Sequence, residues 1–290
     1  MSLSMTVTRR LTRLLPGAFR SPDALRHALA HRGAAAGVTA GVRRVARVRE
    51  TAVDGWPVAR LVPRHGATGA HLVYLHGGGY LQPLNVFHWW LLERLVGSGV
   101  SVSVPHYGLG PEHHADEAHA FLDELWRRET ARHDRVFLAG DSAGGGLALA
   151  QAQRHRDAGL PTAGALLLFA PWVDVTLADP ESARLESRDT LLGVDALREA
   201  GRLWAGDVDP RDPSVSPLYG DLSGLPPVYT YQGDHDVLLP DAKTLTRRIQ
   251  DSGGRAELRI ARGGFHVHVA ATWTPESRRA LAHAERVLRG

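Results

Sequence analysis

From about residue 72 onward, short runs rich in β-branched and aromatic residues alternate with longer segments whose apolar positions recur at helical spacing. Residues 71–75, 100–104, 135–139, 163–169, 228–231 and 256–260 read as strands. Residues 86–96, 116–128, 143–157, 242–251 and 276–288 read as helices. Ahead of them, 42–48 and 58–62 read as an antiparallel lead-in. Strand and helix in regular alternation predict the α/β class, a mostly parallel twisted sheet wrapped by helices.

Two stretches break the rhythm. One is the N-terminal segment 1–40, the other the span from about 175 to 222, which contains a helical piece at 194–204 and then a turn-rich run with Pro210, Pro213 and Pro217. The expected organisation is an N-terminal cap segment, 1–40, and one core, 41–290, carrying a cap insertion at about 175–222.

Composition narrows the chemistry. A hydrophobic fraction of 43% beside 22% charged residues, over 290 residues, predicts a folded chain with a sizeable core. The absence of cysteine excludes disulfides, thiolate metal sites and a cysteine nucleophile. Arginines are spread along the whole chain with Lys243 the only lysine, so no basic face for nucleic acid is expected. Arginines interrupt the first twenty residues, leaving no apolar run of signal-peptide length, and no stretch is long enough to span a bilayer. Cytoplasmic residence without stable membrane insertion is the expectation, and a homodimer is compatible with it. The arginine-rich stretch 8–20 reads as the polar face of a cap helix, with docking on a lipid surface as the alternative.

Gly140-Asp141-Ser142-Ala143-Gly144 fits G-x-S-x-G where a strand gives way to a helix. A serine on that sharp turn is lifted off the sheet edge, and the helix N-terminus behind it favours developing negative charge. Ser142 is therefore the candidate nucleophile. His76-Gly77-Gly78-Gly79-Tyr80 follows a strand directly, and its glycines expose backbone N–H groups that suit an oxyanion hole. Gly77 and Gly78, with Ala143, are the candidate donors, and His76 reads as a structural hydrogen-bonding residue.

In this architecture an acid and then a base follow the serine in the chain. Asp234, Asp236 and Asp241 compete for the acid, although Asp241 suits the first turn of the next helix. His266 and His268 compete for the base. The His-x-His spelling also suits a metal pair, but His113, His114 and His235 offer no H-E-x-x-H spacing, so no metal is expected.

Taken in order, His76-Gly77-Gly78-Gly79, the Ser142 motif with Gly145, Pro171-Trp172-Val173-Asp174, Ser216-Pro217-Leu218 and Leu225-Pro226-Pro227 resemble the hormone-sensitive-lipase-like branch of α/β-hydrolases, particularly its bacterial esterases. The resemblance runs from about residue 71 to the C-terminus. It places the acid at Asp236, with Leu238 following, and the base at His266, before Val267. Tyr107-Gly108-Leu109-Gly110-Pro111-Glu112 resembles the family's Y-R-L-A-P-E with glycines in place of the arginine and alanine. It implies a cap shaping the acyl pocket, with Tyr80, Leu81, Trp172 and Trp204 as pocket candidates. The activity it implies is hydrolysis of small-molecule esters of short to medium acyl chains through an acyl-enzyme, with no cofactor. Lactone or acetyl-group hydrolysis is the alternative on the same triad, and a non-catalytic ligand-binding protein the alternative of another class.

Overall fold

The computed structural model describes residues 1–15 and 17–290. The chain opens with α1 (Leu3–Thr12), α2 (Pro22–Ala30) and α3 (Ala40–Val45), followed by the hairpin β1 (Ala46–Val53) and β2 (Trp56–Pro63). The alternating part then runs β3 (Ala70–Leu75), α4 (Val86–Gly97), β4 (Ser101–Pro105), α5 (Ala115–Thr130), β5 (Arg135–Asp141), α6 (Ala143–Asp157) and β6 (Leu166–Phe169). Between β6 and β7 (Val228–Gly233) lie α7 (Pro180–Leu185) and α8 (Val194–Ala205). The chain closes with α9 (Leu239–Asp251), β8 (Ala256–Ala261) and α10 (Pro275–Arg289).

Among the described residues the eight strands form one sheet in the order β1-β2-β4-β3-β5-β6-β7-β8. The β1–β2 and β2–β4 pairs are antiparallel and the others parallel. In β3, Leu72 lies opposite Val102 on one side and Phe137 on the other. Alternate side chains feed two cores, and this is why the central strands read as near-continuous apolar runs. Leu72 and Tyr74 pack with Trp89, Leu92 and Leu281, whereas Val73 and Leu75 pack with Leu125, Leu147 and Trp204. Each such leucine withdrawn from water contributes about 1.5–3 kcal/mol, so the two cores together hold the C-terminal ends of the parallel strands in fixed register.

The predicted strands and helices recur with small shifts at their ends. The lead-in differs: residues 40–45 are helical, because Thr39 caps Val42 N–H and buries Val42 against the α4 side of the core. α9 starts at Leu239, with Pro240 in its first turn, where a missing N–H leaves nothing unpaired.

The N-terminal segment and the β6–β7 connection pack on each other. Phe19 bridges Leu192, and the Phe19 carbonyl accepts from Gly193 N–H at 2.6 Å. Arg20 donates to the Thr190 carbonyl at 2.7 and 3.0 Å, and Arg26 pairs with Glu199 at 2.9 Å. Both segments lie over the strand ends that carry Ser142.

Candidate active site

Ser142 stands between β5 and α6 with φ 51° and ψ −122°, a backbone conformation that a side chain adopts only under constraint. The constraint is visible in the neighbouring glycine: a Cβ on Gly144 would overlap the carbonyl oxygens of Leu75 and His76. α6 can therefore start hard against the end of β3, leaving Ser142 on the raised turn. Its Oγ lies 2.8 Å from His266 Nε2.

His266 lies beyond β8 and is followed by Val267 at φ 52°, a region that β-branched residues avoid. Its Nδ1 is 2.9 Å from Asp236 Oδ2. Asp236, fully buried, accepts from Leu238 N–H at 2.9 Å through its other oxygen. These contacts assign the tautomer: Nδ1–H donates to Asp236 and Nε2 accepts from the Ser142 hydroxyl. Burial alone would lower the pKa of His266, but Asp236 first, then Asp189 and Asp141, overcome it and raise the pKa.

Among the competing carboxylates, Asp234 accepts from His235 Nδ1 at 2.7 Å and from Gly263 N–H at 2.6 Å, so it ties the acid loop to the histidine loop. Asp241 sits in the first turn of α9, where burial pushes its pKa up to about 8. His268 takes no part in this hydrogen-bonded series: it is buried, neither ring nitrogen has a partner among the described residues, and burial pulls its pKa down to about 4. His76 is buried with Nδ1 2.7 Å from the Gly77 carbonyl oxygen, and burial lowers its pKa to about 3.

The glycine loop departs from expectation at one donor. Gly77 N–H already donates to Asp141 Oδ1 at 3.0 Å, so it is not free for an oxyanion. Gly78 N–H and Gly79 N–H have no acceptor among the described residues, and both glycines line the cavity above Ser142. Gly78 takes φ +114°, where a Cβ would also meet the Gln82 carbonyl oxygen. Ala143 opens α6, and its N–H is likewise without an acceptor among the described residues.

Asp141 is the member whose role the motif alone did not reveal. Besides Gly77 N–H, it accepts from the Tyr74 hydroxyl at 2.5 Å and lies 3.4 Å from His88 Nε2. Its burial would raise its pKa, but His88, Tyr74 and Gly77 outweigh that and lower it. A fixed carboxylate thus clamps the glycine loop against the serine turn. Asp189, in the β6–β7 connection, is the second such residue. Its Oδ2 accepts from Val237 N–H at 3.1 Å and its Oδ1 from Leu191 and Leu192 N–H, so it joins that connection to the acid loop. Burial and then the neighbouring Asp236 push its pKa up to about 6. Nothing in the local spelling of residues 187–190 marks it.

A cavity of about 730 Å³ opens beside Ser142 and His266. Its walls are apolar and come from distant parts of the chain: Leu11, Leu15 and Phe19; Phe87, Trp90 and Leu91; Leu191, Leu192 and Leu197; Phe265, Val267 and Trp273. The four pocket candidates are not among them. Tyr80, Leu81, Trp172 and Trp204 are each no more than 1% exposed. Tyr80 stacks on Trp204 at 4.5 Å and lies 5.6 Å from Trp172, so these rings fill the space beneath the glycine loop instead of facing a ligand. The reason is packing: large rings at a loop–helix junction bury fully where no smaller set of side chains fills the volume.

Two groups hold this floor. Tyr107 donates its hydroxyl to the His76 carbonyl at 2.6 Å. Arg32 donates to the Gly110 carbonyl at 2.8 Å and pairs with Glu112 at 2.6 Å, so a guanidinium from the N-terminal segment braces the loop at 107–112. A separate cluster, His71, Glu129 and His133, lies at the opposite ends of the strands, and Arg60 pairs with its carboxylate.

Residues 72–270 match the family described by its alpha/beta hydrolase fold. An acetyl-hydrolase of Streptomyces hygroscopicus is 35% identical over 226 residues, covering 76% of each chain. A hormone-sensitive lipase from a metagenome library superposes with a TM-score of 0.84 at 29% identity, over 99% of both chains. An esterase from the bacterial hormone-sensitive lipase family does so with a TM-score of 0.84 at 26% identity, over 100% of this chain and 98% of its own. The chain therefore belongs to the α/β-hydrolase-fold family, among its hormone-sensitive-lipase-like esterases, and is a carboxylic-ester hydrolase.

Proposed function

We propose that the protein hydrolyses small-molecule esters of short to medium acyl chains through an acyl-enzyme on Ser142. The observation that carries this reading is the continuous chain Ser142–His266–Asp236, at 2.8 and 2.9 Å, beside an apolar cavity. Ser142 Oγ attacks the ester carbonyl while His266 Nε2 takes its proton. The oxyanion that forms accepts from Gly78, Gly79 and Ala143 N–H. His266 returns the proton to the departing alcohol, then takes one from the water that attacks the acyl-enzyme and gives it to Ser142 Oγ as the acyl bond breaks. Asp236 holds Nδ1–H and stabilises the imidazolium at each stage. Residues 1–40 and about 175–222 act as the cap, since their side chains supply much of the cavity wall around the acyl group.

The reading is tested first by turnover. The protein should hydrolyse p-nitrophenyl butyrate at a rate unchanged by EDTA. Loss of activity to chelator, restored by added zinc, would overturn the serine mechanism. Activity should fall in acid, because His266 works as a base only when neutral. Its raised pKa places this limb above the ordinary histidine value of about 6.5. Asp189→Asn removes a negative neighbour, so the limb should move to lower pH; an unmoved limb would separate Asp189 from the histidine.

The acid is tested by a pair of variants. Asp236→Asn should lower kcat by about 10⁴, because the amide cannot hold the required tautomer or balance the imidazolium. Asp234→Asn, which disturbs only the loop tie, should stay within about tenfold of the parent. Equal losses in both, measured as kcat on the same ester, would show that the loop as a whole orients His266.

A further inference from the structure

The two buried side chains of α1, Met5 and Thr12, fall on one face of the helix. The opposite face, which also includes Arg10, exposes a row of aliphatic side chains. Leu3 is 80% exposed and Val7 47%, and in the turn that follows the helix Leu14 is 80% exposed. At 3.6 residues per turn, positions 3, 7, 11 and 14 form one stripe. A surface helix normally turns charged residues outward, so a row of bare aliphatic groups marks a contact face.

Two further observations say what covers it. The first is charge: Arg9, Arg10, Arg13 and Arg20 are the only charged side chains before Asp23. Arg20 is committed to the carbonyls of Thr12, Arg13 and Thr190. The other three line a cavity of about 220 Å³ with Thr190. There Arg9 Nε is buried without a hydrogen-bond partner among the described residues. The second is position. Leu11 and Leu15, both exposed, also line the cavity beside Ser142. Trp273, 45% exposed at the same cavity, donates its indole N–H to Thr8 of α1 at 3.0 Å. The stripe is thus continuous with the cavity mouth.

We propose that the outer face of α1 docks on an anionic phospholipid layer. Leu3, Val7 and Leu14 enter the boundary of the acyl region, while Arg9, Arg10 and Arg13 receive headgroup phosphates. The cavity mouth then opens onto the layer. A second copy of the chain is a poorer occupant: a two-fold contact through this face sets the same arginine row against itself. Aliphatic groups flanked by a row of arginines complement a surface that is apolar within and anionic at its edge.

The test uses the full chain and vesicles of phosphatidylcholine with or without phosphatidylglycerol, with binding read by co-sedimentation. The protein should bind the anionic vesicles at least about tenfold more strongly than the neutral ones, and less so as salt rises. Leu3→Ser with Leu14→Ser, and separately Arg10→Glu with Arg13→Glu, should each weaken that binding by about tenfold or more. Turnover of dissolved p-nitrophenyl acetate should be unchanged in both and so reports their folding. Binding is read without turnover, so the outcome is independent of the hydrolytic mechanism. No binding by the parent protein, full binding by the glutamate pair, or a dimer in solution that the serine pair converts to monomer would each overturn the proposal.

Discussion

Replacing Ser142 by alanine is expected to lower kcat for p-nitrophenyl butyrate by on the order of 10⁶ and to leave the fold intact. The size follows from how the site is joined. Ser142 Oγ is the atom that His266 Nε2 faces at 2.8 Å, and without it the base has no proton to take and no acyl-enzyme forms. The fold should survive because the turn is held by its surroundings: the Ser142 N–H bonds to Phe169 O, the Ser142 carbonyl accepts from Trp172 N–H, and Gly144 lies against the end of β3. Alanine satisfies the same backbone bonds at the same φ. The expected observations are an unchanged Tm and loss of covalent labelling by a fluorophosphonate, with the parent labelled at residue 142. Hydrolysis retained within tenfold, or labelling at another serine, would remove Ser142 from the mechanism.

What could be read from the sequence depends on how local each feature is. The turn at Ser142 combines a small-residue spelling with a change from strand to helix, and both signals lie within a few residues. His266 and Asp236 were harder. Each sits in a loop with a rival two residues away, and only the resemblance separates them; in the structure Asp234 is taken up by Gly263 N–H, and His268 is buried with neither ring nitrogen paired among the described residues.

Features created by tertiary crossing were not legible. Part of the cavity wall comes from Leu11, Leu15 and Phe19 and from Leu191, Leu192 and Leu197, which meet where Phe19 bridges Leu192 and where Thr12 and Arg20 bond Thr190. Nothing in either stretch states that they will share a surface. Tyr80, Trp172 and Trp204 show the converse error, since an aromatic near a motif reads equally as ligand contact or as filler, and here their mutual stacking makes them filler. The choice between Gly77 and Gly79 as a donor turns on a single carboxylate, Asp141, whose reach across the sheet end no spacing rule describes. Residues 42–45 carried apolar positions that suit either a strand or a helix, and the Thr39 cap decided for the helix.

His266→Ala is expected to be as damaging as loss of the serine, at about 10⁶ in kcat, whereas His268→Ala is expected to cost no more than about tenfold. The first figure rests on non-additivity: nucleophile and base act as one unit, so Ser142→Ala combined with His266→Ala should be no slower than either alone. His268 offers the contrast within a span of two residues. Its imidazole is held neutral by burial, faces no hydrogen-bond partner among the described residues, and takes no part in the contacts of Ser142 or Asp236. Alanine there leaves a small void near the histidine loop, and a modest fall in Tm is the expected sign of it. Both variants are to be compared on the same ester at a pH above the acid limb, so that protonation of the base does not mask the difference. A His268→Ala protein without turnover, beside a working His266→Ala protein, would exchange the two assignments and with them the role given to Asp236.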